Sequence, residues 1–205
     1  MGHRFADLAF TPRVRALQDA AGSRAHYAEP DDVPDHHDVL GEKESAFIRA
    51  RDSLYMASIG ETGWPYVQHR GGPKGFLKVL DAKTLGFADF RGNRQYVSLG
   101  NFESDPRVAL ILMDYPGRAR LKLLGRIEIV DKDDSILQQL KPANYRGLVE
   151  RGILIRVAAF DWNCPQHIVA RYTAEELEPL IQPLKDRVRE LEMQLQALSG
   201  GASTP

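Results

Sequence analysis

A basic turn interrupts the apolar centre of this 205-residue chain, which reads Thr84-Leu85-Gly86-Phe87-Ala88-Asp89-Phe90-Arg91-Gly92-Asn93-Arg94-Gln95-Tyr96-Val97-Ser98-Leu99. The first seven residues have the composition of a strand, Gly92 suits a tight turn, and Asn93 is expected to be the N-cap of a following helix. A helix start offers unsatisfied N–H groups and the positive end of its dipole, and here Arg91 and Arg94 would stand beside it. That is the chemistry of phosphate binding, because the planar arginine fork gives two hydrogen bonds to one phosphate. The alternative is that both arginines solvate a turn or pair with Asp89 and Glu103.

Two further segments could supply the rest of an anion site. Gln68-His69-Arg70-Gly71-Gly72 is polar where a barrel strand should be apolar. Arg118-Ala119-Arg120-Leu121-Lys122 is cationic at alternate positions, so a strand would put its three charges on one face. Like charges on one face repel unless they reach solvent or an anion. Near the end of the last strand, His167 is a candidate proton donor around neutral pH, with hydrogen-bonded structure as the alternative. Cys164, the single cysteine, reads as packing, since no base stands at a fixed spacing from it. Asp35-His36-His37-Asp38 reads as a solvated acidic loop, because adjacent loop histidines do not converge as i, i+4 helical ligands do. No metal site is expected.

The elements that position these groups follow from period and punctuation. Phe10-Thr11-Pro12 predicts a staple, an N-cap and a first-turn proline, opening a short helix that ends near Gly22, with loop from there to Leu40. Residues 42–52 carry a 3.6-residue period, with Ala46, Phe47 and Ala50 expected inward. The period then becomes two, and Leu54–Ile59 and Trp64–Arg70 across Gly60-Glu61-Thr62-Gly63 predict a hairpin. Further strands are expected at Phe76–Leu80, Thr84–Phe90, Arg107–Tyr115, Arg118–Val130 and Ile153–Trp162. With few long helices between them, an antiparallel closed or split barrel is favoured over a parallel sheet.

Thr173-Ala174-Glu175-Glu176 is a capping box, and Leu177, Leu184, Leu191 and Leu198 fall seven apart behind it, with Ile181, Val188 and Leu195 interleaved. This C-terminal helix either pairs with a second copy, where Arg187 would face Glu192, or packs on its own barrel. Pro179 and Pro183 must perturb its early turns.

Charge and length narrow the function. The net charge of −1 hides a block at residues 64–126 with eleven Lys and Arg against five Asp and Glu, net +6, leaving −7 for the remainder. A near-neutral whole with a local basic block suits a small phosphorylated ligand better than a nucleic-acid partner. The longest apolar run, Val108–Met113, is six residues, where a membrane span needs about 20. No membrane span and no signal peptide are expected, and a lone cysteine suits a reducing cytoplasm.

The order of helix, hairpin, TLGFADFRGNRQYVSLGNFESDPRVALILMDY and RARLKLLGRIEIV resembles the FMN-binding split-barrel family related to pyridoxamine 5′-phosphate oxidase, over about residues 42–168. The resemblance implies a mainly β, α+β fold: an antiparallel split β-barrel domain at 42–168, an N-terminal helix-and-loop extension at 1–41, and a C-terminal helix and tail at 169–205. It also implies FMN as cofactor at a homodimer interface, a small-molecule substrate or nicotinamide electron donor, and flavin-dependent oxidoreduction.

The family's Ser-Arg-Lys phosphate clamp matches Asn93, Arg94 and Gln95, losing one charge that Arg91 is expected to restore, with Asp89 beside them. The strand along the flavin matches Gln68, His69 and Arg70. A ring-bonding glutamine falls on Arg120, with Lys122 two residues on, and an arginine there would stabilise negative charge on the reduced ring. The family's Trp-Gln stretch matches Trp162 and Asn163. The Arg-Leu-His motif that holds pyridoxal phosphate is replaced by Cys164-Pro165-Gln166-His167, so the flavin site is expected to be kept and the vitamin B6 site lost. The alternatives are a non-catalytic flavin- or haem-binding module and, against the acidic remainder and the absence of an aromatic platform, a small-barrel nucleic-acid binder.

Overall fold

A computed structural model of the chain describes residues 4–27, 37–132, 134–162 and 164–200. They form two compact units, one drawn from residues 1–114 and 119–166, the other from residues 115–118 and 167–205.

The first unit opens with α1 (Arg4–Ala9) and α2 (Pro12–Ala20), followed by a 3-10 turn at Arg24–Tyr27 within the predicted loop. Thr11 caps α2 as its type and place suggest, its hydroxyl accepting from the Val14 N–H at 3.4 Å. The phase of α3 (Glu42–Arg49) corrects the sequence reading. Ser45 and Ile48 are buried and Phe47 half-buried, whereas Ala46 and Ala50 are exposed. Alanines fit either face of a helix, so they are poor markers of phase; the fully buried Ile48 decides it.

Among the described residues, seven antiparallel strands follow the predicted order: β1 (Ser53–Ile59), β2 (Pro65–Gly71), β3 (Lys78–Asp81), β4 (Thr84–Phe90), β5 (Arg107–Asp114), β6 (Ala119–Val130) and β7 (Val149–Trp162). The sheet order is β2-β1-β5-β6-β7-β4-β3, with α4 (Val97–Ser104) between β4 and β5 and α5 (Ile136–Leu140) between β6 and β7. This is the split barrel in a mainly β, α+β chain. The β1–β2 hairpin pairs Ile59 with Pro65 and Ser53 with Gly71, and its turn closes through Gly63, whose φ of +80° suits glycine.

Alternation along the strands supplies the core. Leu54 and Met56 on β1, Leu110 and Leu112 on β5, Leu121 and Leu123 on β6 and Ile153 and Ile155 on β7 face one interior. Burying each such side chain contributes about 1.5–3 kcal/mol. At Gly152–Ile155 β7 is buried on both faces, because Leu137 and Leu140 of α5 cover Leu154 from the far side. A bulge between Leu124 and Gly125 sits where a Cβ on Gly125 would approach Ile155 to 2.7 Å, so only glycine lets β6 and β7 come together there.

The second unit contains α6 (Ala174–Gly200). The predicted capping box is present: the Thr173 N–H donates to Glu176 Oε2 at 2.8 Å and the Glu176 N–H to Thr173 Oγ1 at 3.2 Å. Among the described residues, no helix is long and apolar enough to cross a membrane.

Candidate functional site

The cleft that concentrates the sequence candidates lies at the split of the barrel. Tyr66, Gln68 and Arg70 of β2 line it from one side, Asp89 and Phe90 of β4 from another, and residues 92–99 run across it to the start of α4. The turn differs from its sequence reading. The helix begins at Val97, not after Asn93, and Asn93 instead makes an Asx turn in which its Oδ1 accepts the Gln95 N–H at 3.2 Å. Arg94 and Tyr96 both take left-handed backbone, with φ of +60° and +55°. Two such residues within three positions prevent the helix from starting earlier.

Among the described residues no side chain caps α4, which leaves its first-turn N–H groups for the cleft. Ser98 on that turn donates its hydroxyl to Gln68 Oε1 at 2.7 Å, fixing the glutamine amide on β2.

The charges in and around the cleft form a network that sequence spacing did not reveal. Arg70 Nη1 donates to Asp89 Oδ1 at 2.7 Å, and Arg91 Nε to Glu150 Oε1 at 2.9 Å. Arg151 reaches Glu150 at 3.2 Å and Asp89 at 3.9 Å, and its guanidinium stacks 5.3 Å from the Tyr96 ring. Arg70, Arg91 and Arg151 therefore pair with two carboxylates, and with Arg94 close by the local balance is two positive charges in excess. The two carboxylates are driven apart. Burial pushes the Asp89 carboxyl up against the opposing pull of Arg70 and Arg151, and the Arg91 hydrogen bond holds Glu150 below its ordinary value.

Arg91, expected as the added phosphate cation, is instead engaged by Glu150. Arg94 is exposed and makes no ion pair among the described residues, so it is the cation left for a ligand.

The sheet separates the other candidates. Gln68 and Arg70 pair with Met56 and Leu54 and share the inner face, whereas His69 pairs with Tyr55 on the outer face, their rings 5.6 Å apart. Lys122 lines the outer face, where Asp161 binds it at 2.9 Å and Phe5 of α1 places its ring 4.6 Å away. Arg120, two residues along, shares that face. Arg118 does not, because β6 begins at Ala119 and Arg118 sits in the preceding turn with φ of +49°.

Trp162 is held from α3: its indole N–H donates to Glu44 Oε1 at 2.8 Å, Phe47 packs edge-on at 4.8 Å, and Lys43 stands 4.5 Å from the ring centre. His167 lies in the second unit and is exposed, with φ of +64°. Asn163, Asp35 and His36 lie outside the described residues. Among the described residues, no group of three or more His, Cys, Asp and Glu could hold a metal ion.

Sequence reasoning missed Glu150, Arg151 and Ser98. Arg151 is the cross-strand partner of Asp89. An opposite-charge pair of that kind can be recognised only once the register of β4 against β7 is known.

Among the described residues, two buried guanidinium nitrogens, Arg70 Nε and Arg120 Nε, have no hydrogen-bond acceptor. A buried donor left without an acceptor costs about 1–3 kcal/mol.

Residues 40–155 match the family described as pyridoxamine 5′-phosphate oxidase. Among solved structures, HupZ of Group A Streptococcus is similar at 13% identity and a TM-score of 0.50, the match covering 65% of this chain and 99% of that one. An FMN-binding protein from Syntrophomonas wolfei is 10% identical at a TM-score of 0.45, over 60% and 85% of the two chains. A protein of the pyridoxinephosphate oxidase family from Clostridium acetobutylicum, related to general stress protein 26, is 13% identical at 0.45, over 66% and 94%. No curated protein matches the chain.

Proposed function

Because the chain belongs to the pyridoxamine 5′-phosphate oxidase family, with the match spanning more than half of its length, we propose that it binds FMN and works as a flavin-dependent oxidoreductase on a small substrate. The observation that carries this reading is the cleft at the start of α4, where Arg94 and uncapped N–H groups stand in an excess of positive charge. The donor set fits a flavin nucleotide. Arg94, with the backbone of Asn93 and Gln95, would hold the phosphate. Gln68 and Arg70, set by Ser98 and Asp89, would offer hydrogen bonds farther along the ligand.

FMN, when bound, supplies the two-electron redox chemistry. The work of the chain is to bind, orient and tune. Arg120 carries a buried Nε with no acceptor and offers positive charge to an electron-rich ring edge. His69, Arg120 and Lys122 lie on the opposite sheet face from Gln68, and the reading includes a homodimer in which that face meets a second copy and the cofactor between them. His167 keeps the role of proton donor as part of this proposal. The replacement of the family's Arg-Leu-His stretch by Cys164-Pro165-Gln166-His167 argues for a substrate other than pyridoxamine phosphate.

An absorbance spectrum of the purified chain titrated with FMN tests the reading directly. Saturable uptake with a perturbed flavin spectrum, followed by anaerobic bleaching with NADH or NADPH, is expected. Uptake without bleaching by these or another two-electron donor would reduce the protein to a flavin-binding module, and no uptake would remove the proposal.

A further inference from the structure

We infer that α6 is a self-association element, whose partner is the α6 of a second copy of this chain in parallel register. This inference is independent of the flavin reading. The helix runs unbroken from Ala174 to Gly200, through both of its prolines. On a heptad scheme Ile181, Val188 and Leu195 take position a, while Leu177, Leu184, Leu191 and Leu198 take position d. Leu177 is half-buried and the other six are exposed in the single chain, from 37% at Ile181 to 75% at Leu198. A large apolar seam of this regularity on a single helix is unstable in water unless another surface covers it.

The side chains on the seam select the partner. Two of the three a positions, Ile181 and Val188, are β-branched and all four d positions are leucine, the combination that favours a two-stranded parallel coiled coil. Pro179 and Pro183 fall at positions f and c, on the outward side, so neither ring enters the seam. The flanking charges agree. Arg187 stands at g and Glu192 at e, the positions that meet between parallel partners. Within one chain Arg187 is bound by Glu190, one turn along, so it is already ordered near the edge of the seam. A membrane surface is the poorer partner. Residues 173–200 hold six acidic against three basic residues, whereas helices that lie on anionic lipid carry Lys and Arg on the polar face.

Site-directed cross-linking of the full chain tests the inference. Cys164 is the only cysteine and is exposed, so Cys164→Ser gives a clean background. In that background Leu198→Cys, at d, is expected to give a covalent dimer under mild oxidation. Met193→Cys, at the outward position f and 63% exposed, is expected to stay monomeric on a denaturing gel. Adding Arg187→Glu to the Leu198→Cys chain should reduce the dimer band, and adding Glu192→Arg as well should restore it. Equal cross-linking at 193 and 198, or no dimer through 198, would overturn the inference. Antiparallel pairing gives the second of these results, because it places the two Leu198 positions at opposite ends.

Discussion

Arg70 on β2 and Asp89 on β4 form an ion pair at 2.7 Å, although their strands stand first and sixth in the sheet order and share no backbone ladder. The sheet curls until these two strands face each other, and a side-chain pair bridges the gap that main-chain hydrogen bonds do not span. The pair is well covered, with side chains 16% and 8% exposed. Both residues also line the candidate cleft, so closing the barrel and shaping the site are one structural event.

Breaking that pair on one side is expected to be costly. Asp89→Ala should destabilise the fold by about 3–5 kcal/mol, since it leaves the Arg70 charge buried without its main counterion, whereas Arg70→Met with Asp89→Leu should cost far less. Urea denaturation of the two variants checks this; equal losses would show that the pair does not act as a unit. The pH dependence has a definite sign. Because the folded state raises the Asp89 carboxyl, its contribution to stability is present at low pH and lost as pH rises through its folded value. The double variant should lack that component.

Arg94 carries the ligand prediction. Arg94→Ala should weaken FMN binding by about 1–3 kcal/mol, the worth of a charge-assisted phosphate contact. Quenching of flavin fluorescence measures it. Arg107→Ala, which removes a cation already bound to Asp105, serves as the control and should leave affinity unchanged.

Glu150 competes with any phosphate for Arg91. Glu150→Gln should therefore tighten FMN binding modestly, as expected for release from a partly exposed ion pair. The same titration reads the change, and weaker binding would mean that Glu150 positions Arg91 rather than occupying it.

Asp105 gives a prediction that needs no ligand. Arg107 holds its carboxyl through side-chain and backbone hydrogen bonds, lowering it to about 2. The stabilisation from this group is thus present above the ordinary value near 3.8 and disappears as pH falls through about 2. NMR titration of the Asp105 carboxyl should show the low midpoint, and Arg107→Ala should return it toward 3.8; an unchanged midpoint would count against the contact.

Much of the architecture was legible without coordinates. The change from a 3.6-residue to a two-residue period after Asp52, the Gly60–Gly63 turn and the Thr173 capping box each mark a local backbone preference, and each corresponds to an observed element. Local signals also misled. Asn93 has the chemistry of an N-cap, but its side chain serves an Asx turn, and the left-handed backbone at Arg94 and Tyr96 delays the helix to Val97. Nothing in residue type announces that delay.

By itself, the amino-acid order determined the identity and sequence of the strands, the basic block at residues 64–126, the family resemblance and the heptads of α6. Only the tertiary structure decided that Arg91 belongs to Glu150, that Arg70 belongs to Asp89, and that His69 turns away from Gln68. The reason is the range of the forces involved. Strand, turn and cap preferences act over a few neighbouring residues and can be read in order. Which charges meet depends on strand register and on the curl of the whole sheet, and these emerge only when distant segments bury a common core.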